Sequence, residues 1–107
     1  MKARALKKYQ GIFPAFYACY DDAGEVSPDR ARAFTEYLIG KGVNGLYVGG
    51  SSGECIYHSV EERKALLEAV IAQAAGRITI IAHVACNNTR DSMELAAHAE
   101  SIGADCI

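Results

Sequence analysis

Short apolar runs alternate with longer amphipathic stretches along this chain, and that alternation restricts it to folds built on a parallel sheet. The unit recurs about every 30 residues, the length a strand–helix–strand crossover needs. Ile12 to Tyr20 is apolar and aromatic and reads as a strand, with Pro14 near its start where a missing N–H is tolerated. Asp21, Asp22, Ala23 and Gly24 supply a turn. Ser27 is placed as an N-cap, Pro28 as the first helical residue and Asp29 near the positive end of the helix dipole. Phe34, Tyr37 and Leu38 share one face of that helix, and Gly40 and Gly42 end it.

The second unit opens with Leu46, Tyr47 and Val48, a continuously apolar run that suits a strand covered on both sides. Ser59 and Glu62 have the spacing of a capping box for the next helix, whose buried stripe is Leu67, Val70, Ile71 and Ala74, with Gly76 as its stop. Ile78, Ile80, Ile81, Ala82 and Val84 form a third strand rich in β-branched residues. Asn88 or Thr89 caps a third helix that turns Leu95, Ala96, Ala99 and Ile102 inward and ends at Gly103. Asp105, Cys106 and Ile107 begin a fourth strand. The periodicity is compatible with a small open α/β sheet or with part of a barrel. A closed barrel takes about 250 residues, and 107 residues are under half of that. No linker or low-complexity tract divides the chain, so residues 1–107 read as a single partial domain.

Composition narrows the function classes. With 11 basic and 13 acidic residues the net charge is −2, too weak a field to recruit nucleic acid or a membrane surface. The one basic cluster, Lys2, Arg4, Lys7 and Lys8, reads as a solvated arm, because no apolar run follows it that could serve as a signal segment. Cys19, Cys55, Cys86 and Cys106 form no C-x-x-C pair or zinc spacing and read as reduced, buried thiols of a cytoplasmic protein.

Gly45-Leu46-Tyr47-Val48-Gly49-Gly50-Ser51-Ser52-Gly53-Glu54 runs from an apolar strand into a glycine-rich loop at the strand's C-terminal end. Ligands bind at that end in α/β proteins. Glycines let the backbone approach an anion closely, and the Ser51 and Ser52 hydroxyls add donors. Spacing alone leaves two readings open, a carboxylate or phosphate cradle and a plain turn. Neither the dinucleotide fingerprint nor the P-loop is matched.

The same segment resembles the signature of the N-acetylneuraminate lyase and dihydrodipicolinate synthase family, Gly-(Ser/Thr)-Thr-Gly-Glu after an apolar strand. Gly11-Ile12-Phe13-Pro14-Ala15 resembles that family's first strand, and Ser59-Val60-Glu61-Glu62-Arg63 the start of its second helix. Ile81-Ala82-His83-Val84 with Asn87-Asn88-Thr89 resembles its third strand and the loop after it. The resemblance implies the N-terminal portion of a (β/α)8 TIM barrel, about three βα units plus the start of strand 4. It also implies a pyruvate-dependent class I aldolase without a cofactor, tetrameric at full length. On this reading Ser51 and Ser52, with the backbone at Gly50 and Gly53, hold the carboxylate of pyruvate or of a sialic acid. Position 52 is serine where the family usually has threonine, and Ala18-Cys19-Tyr20 stands where it commonly shows Thr-Pro-Phe.

The family's Schiff-base lysine follows its sixth strand and its catalytic tyrosine its fifth. Neither has a counterpart among Lys2, Lys7, Lys8, Lys41 and Lys64 or at the end of a strand here, so the chain alone is expected to be inactive. The Gly-Leu-Tyr-Val-Gly-Gly-Ser run resembles the sialic acid lyase branch. The alternatives are 4-hydroxy-tetrahydrodipicolinate synthesis, cleavage of another 2-keto-3-deoxy sugar acid, and a non-catalytic module that binds a small anion. Among the remaining candidates, His83 reads as a packed, locally satisfied histidine near the strand end rather than a substrate contact. Glu54 reads as a brace accepting backbone N–H groups. Tyr47 and Tyr57 are both able to reach a substrate, and Tyr47, within the buried strand, reads as core or interface. His58 and His98 lack a second ligand at metal spacing, so no metal is expected.

Overall fold

The computed structural model describes residues 6–107, so Lys2 and Arg4 lie outside the described residues. Helix α1 spans Pro28–Gly40, strand β1 Gly45–Val48, helix α2 Val60–Ala74, strand β2 Thr79–Ala82 and helix α3 Thr89–Ser101. Single 3-10 turns occupy Lys7–Tyr9, Ser51–Gly53 and Cys55–Tyr57.

Strand β1 pairs in parallel with β2, from Gly45 opposite Thr79 to Val48 opposite Ala82. The extended Ile12–Phe16 segment lies along the other edge of β1. Ala15 bridges Tyr47 in parallel, the Tyr47 N–H donates to Pro14 O at 3.0 Å, and the Phe16 N–H donates to Tyr47 O at 2.8 Å. On the far edge of β2, Cys106 bridges Ile81 in parallel and the Ala82 N–H donates to Cys106 O at 2.9 Å. The spatial order therefore follows the chain order with every neighbour parallel. Helix α1 packs on α2 and α2 on α3 in the same sequence. Ala31, Val70 and Ala99, one from each helix, share a single core with Leu46, Val48, Ile80 and Ala82. All three helices thus cover one face of the sheet. A doubly wound sheet reverses its strand order and takes helices on both faces. A sequential order with one covered face is the wall of a barrel.

Local chemistry explains the boundaries. Ser27 accepts from the Arg30 N–H at the start of α1, with Pro28 supplying no orphan donor. Ser59 and Glu62 form a complete capping box, and the Ser59 backbone N–H holds the Glu62 carboxyl below its usual range. Asn88 rather than Thr89 caps α3, accepting from the Asp91 N–H. The one fully buried polar side chain of α1, Thr35, is satisfied by donating to Ala31 O at 2.8 Å. Leu46 and Val70 are fully enclosed, each contributing about 1.5–3 kcal/mol.

Several expectations need correction. The first apolar run is not a regular strand to Tyr20. Its pairing with β1 ends at Phe16, and the chain then turns so that Tyr20 bridges Val26 in antiparallel fashion. Strand β2 is also shorter than the apolar run from Ile78 to Val84, its pairing with β1 running from Thr79 to Ala82. Tyr37 is exposed and stacks on Phe34 from outside the core. Within these residues helices cover one face of strand β1. Tyr47 is 36% exposed because its side chain leaves the sheet on the face that no helix covers. Of the cysteines only Cys55 is buried; Cys19 and Cys86 are partly exposed and Cys106 is exposed.

The Arg77 guanidinium grips Glu36 with both ends, Nη2 to Oε2 at 2.6 Å and Nη1 to Oε1 at 3.1 Å, tying α1 to the turn before β2. This holds the Glu36 carboxyl down to about 2 from its usual 4.5. A depressed carboxylate contributes stability that is present above pH 4.5 and lost as pH falls toward about 2. In the full-length protein, Glu36→Gln should therefore lose its stability difference from the parent across that window, a small difference because the pair is half exposed. Urea midpoints measured at several pH values check this; a gap that widens on acidification contradicts it. The 107 residues expressed alone leave both sheet edges and the Tyr47 face open, so a broad, concentration-dependent melt is expected. A sharp transition from a monomer in calorimetry would contradict that.

Candidate functional site

The loop after β1 is a tight 3-10 turn. The Gly53 N–H donates to Gly50 O at 3.0 Å and the Glu54 N–H to Ser51 O at 3.0 Å. The first amides of such a turn have no acceptor within it, so the Ser51 and Ser52 N–H groups are left for an outside partner. Two glycines are steric requirements. A Cβ on Gly50 would sit 2.7 Å from the Tyr47 ring, and one on Gly53 would sit 2.8 Å from Phe16 O. Glu54 closes the turn in the left-handed region, at φ 59°, unusual for a residue with a side chain.

The turn stands at the C-terminal ends of the strands, beside a groove of about 550 Å³. Ser51 lines this groove with Tyr47, His58, Arg63, His83 and Asn87. Ser51 and Ser52 are both exposed, and Ser51 is the one of the two that borders the groove. A second cavity of about 390 Å³ lies at the N-terminal ends of the strands, between Lys8, Asn44, Arg77 and Asp105. That end of a parallel barrel carries stability rather than chemistry. The Lys8–Asp105 ion pair at 3.1 Å, which raises the Lys8 ammonium above its ordinary pKa, fits that role.

Arg63 holds the groove together and is a residue the sequence reading left without a role. Only 7% exposed, it donates from Nη1 to Ala85 O at 2.8 Å and from Nη2 to His83 O at 2.8 Å, with Gly49 O at 3.4 Å from Nη2. Among the described residues no carboxylate pairs with it, so carbonyl dipoles carry its charge. One signal was available: Arg63 falls in helical register with Leu67, Val70 and Ala74, which places a cation on a buried stripe.

His83 sits on the groove with its Nδ1 engaged locally. Its Nδ1 lies 2.9 Å from Gly49 O and 3.3 Å from Arg63 Nη2. Arginine only donates and a carbonyl only accepts, so one of these contacts is a hydrogen bond in a given tautomer. The shorter one assigns Nδ1–H donating to Gly49 O. Glu54 differs from expectation: its carboxylate accepts from the Tyr20 hydroxyl at 3.2 Å, not from backbone amides. Tyr57 is 74% exposed, and it is its neighbour Ile56 that borders the groove. His58 contacts Tyr20 Oη and His98 contacts Glu68. Lys64 is engaged by Glu61 and Glu94, and Lys41 lies over the Tyr37 ring. None of the described lysines lines the groove.

Removing the fork of Arg63 would leave the Ala85 and His83 carbonyls without a partner. In the full-length protein, Arg63→Met should cost about 3 kcal/mol, and Arg63→Lys somewhat less because an ammonium cannot span both acceptors. Chemical denaturation measures it; a loss below about 1 kcal/mol for the methionine variant would show that these carbonyls are satisfied without the guanidinium.

Residues 8–107 match the dihydrodipicolinate synthetase family. The chain is 61% identical over 104 residues to the N-acetylneuraminate lyase of Mediterraneibacter gnavus, covering 97% of this chain and 33% of that protein. It is 39% identical over 101 residues to the N-acetylneuraminate lyase of Salmonella paratyphi B, covering 94% and 34%. A solved structure of the Ruminococcus gnavus sialic acid aldolase, a catalytic lysine mutant, aligns with a TM-score of 0.91 at 61% identity over 92% of this chain and 32% of that one. Dihydrodipicolinate synthase from Aquifex aeolicus aligns with a TM-score of 0.85 at 32% identity, covering 91% and 33%. The chain spans about a third of the length of these relatives. The strand order derived above is that of the N-terminal portion of their TIM barrel. On fold and sequence together, the chain belongs to the dihydrodipicolinate synthetase family.

Proposed function

We propose that the full-length protein carrying this segment is a Schiff-base-forming, pyruvate-dependent carbon–carbon lyase acting on N-acetylneuraminate, and that these residues contribute its carboxylate cradle. The observation that carries the reading is the Ser51–Gly53 turn. Ser51 of that turn borders a groove at the strand ends, and the turn's own hydrogen bonds leave the Ser51 and Ser52 amides unused, which supports a cradle there. The 61% identity to an N-acetylneuraminate lyase supports the choice of substrate within the family.

The chemistry follows from the placement. Cleaving the carbon–carbon bond next to a keto acid leaves an electron pair that a protonated imine on lysine can accept. The lysine would come from the part of the relatives' length that this chain does not span. The cradle's task is positional. Amide and hydroxyl donors fixed in the folded loop hold the carboxylate, so that the keto carbon faces the lysine without reorganisation at the moment of reaction. Gly50 and Gly53 permit the close backbone packing that fixes those donors. As part of the same reading, residues 8–107 belong to one barrel domain, and the whole protein is a cytoplasmic homo-tetramer. No helix among the described residues is long and apolar enough to cross a membrane.

Borohydride reduction of the full-length protein with pyruvate should leave a covalent adduct on one lysine, seen as a mass increase of the intact chain. Ser51→Ala should raise KM for the keto acid about tenfold or more, the cost of one hydrogen bond to a charged group, while the Schiff base still forms at saturating pyruvate. Absence of any adduct in the parent protein would end the lyase reading and favour a non-catalytic anion-binding module.

A further inference from the structure

The carboxylate cradle ends on Glu54, and a side-chain cluster behind it has no part in the chemistry described so far. The Tyr20 hydroxyl lies 3.2 Å from Glu54 Oε2 and 2.8 Å from His58 Nε2. The Tyr20 and His58 rings meet edge to face with centroids 5.8 Å apart. Three stretches of chain converge here: the turn that follows the first extended segment, the close of the Ser51–Gly53 turn, and the residue before the capping box of α2.

Donor counting fixes the direction of this chain of bonds. Tyrosine has one hydroxyl proton, and an ionised carboxylate can only accept. The Tyr20 O–H therefore donates to Glu54, and His58 Nε2–H donates to the Tyr20 oxygen. In neutral His58 the proton is thus on Nε2. The opposite direction would turn an oxygen lone pair of Tyr20 toward the negative charge of Glu54.

Tyr20 is itself held firmly. Its backbone bridges Val26, and its carbonyl accepts from Arg30 Nη1 at 2.7 Å, while Arg30 Nη2 also grips Asp22. Glu54, by contrast, sits in the left-handed region, which costs a residue with a Cβ about 1 kcal/mol. Relaxing Glu54 to a right-handed conformation would redirect the bond from the Glu54 N–H to Ser51 O and the one from the Tyr57 N–H to Glu54 O. The turn that aims the Ser51 and Ser52 amides would then lose its closure.

We propose that Tyr20 is a positioning residue: its hydroxyl, fixed by His58, braces the Glu54 carboxylate and so sets the pitch of the Ser51–Gly53 turn toward the keto-acid carboxylate. The target of that turn rests on the lyase reading above; the brace itself does not. Tyr20 acts through Glu54 and takes no part in bond making.

The test uses the full-length protein with Tyr20→Phe, which removes a single oxygen, and Glu54→Gln, which removes the charge that orients the chain of bonds. Hydrogen exchange followed by mass spectrometry over residues 50–57 should accelerate about tenfold or more in both variants, the loss of one hydrogen bond to a charged group. Exchange in β1 and β2 should stay within about twofold of the parent, as expected where protection reports global rather than local opening. KM for pyruvate should rise about threefold to tenfold with kcat within about twofold, the split expected when ground-state and transition-state binding weaken together. Unchanged exchange over residues 50–57 overturns the brace whatever the kinetics. Faster exchange there with an unchanged KM overturns its role in aiming the turn. Faster exchange in the two variants of a parent protein that forms no pyruvate adduct supports the brace and overturns the lyase reading instead.

Discussion

A single buried guanidinium ties the working end of this structure together. Arg63 enters from the first turn of α2 and donates to carbonyls that follow β2, with a carbonyl that follows β1 at the edge of its reach. Strand ends are where the hydrogen-bonded ladder runs out and backbone acceptors lose their partners. A lysine could satisfy one such acceptor; the planar fork of arginine satisfies two at fixed separation. The capping box immediately before it fixes where α2 begins, and so fixes where that fork arrives. The groove walls inherit their spacing from this arrangement. Gly49, whose carbonyl also accepts from His83, leads directly into the turn that carries Ser51 and Ser52.

The site is divided between rigid and strained parts. Strands and helices supply the frame, and the donors proposed to meet substrate lie on a turn of three residues closed by a left-handed glutamate. Close packing restricts this turn to glycine at two positions. The Tyr47 ring and the Phe16 carbonyl lie where side chains on Gly50 and Gly53 would have to go. Catalytic geometry on a barrel is commonly built this way, with loops aimed by a scaffold that takes no part in the reaction.

Much of the fold could be read from the residues. The helix starts at Ser27 and Ser59 follow from side-chain oxygens placed one residue before the first helical position, a local chemistry that distant contacts do not alter. The barrel was reachable only through the family resemblance, because the period of the strands does not say whether their order reverses. Helices cover one face of β1, and the face bearing Tyr47 is the one that the remaining strands of a barrel enclose. The first strand appeared longer than its pairing because aromatic residues from Tyr17 onward suit a strand and a packed turn equally well. At the site, the glycine-rich loop was visible because its composition is unusual. The tie between Tyr20 and Glu54 spans 34 positions, and no local rule connects residues so far apart. Arg63 lay between the two cases, since its register with Leu67 and Val70 could be counted but its acceptors could not be known.

The order of the staves has a consequence for how such a chain is made. Each extended segment pairs with the one synthesised just before it, and each helix packs on its predecessor. The pairings within this wall each join neighbours in the chain, so loop-closure entropy is met in small instalments. The outer edge of the Ile12–Phe16 segment waits for the strand that closes the barrel. The apolar face bearing Tyr47 waits as well. It stays wet until later staves arrive to enclose it, and during that interval the growing wall is most open to unwanted association.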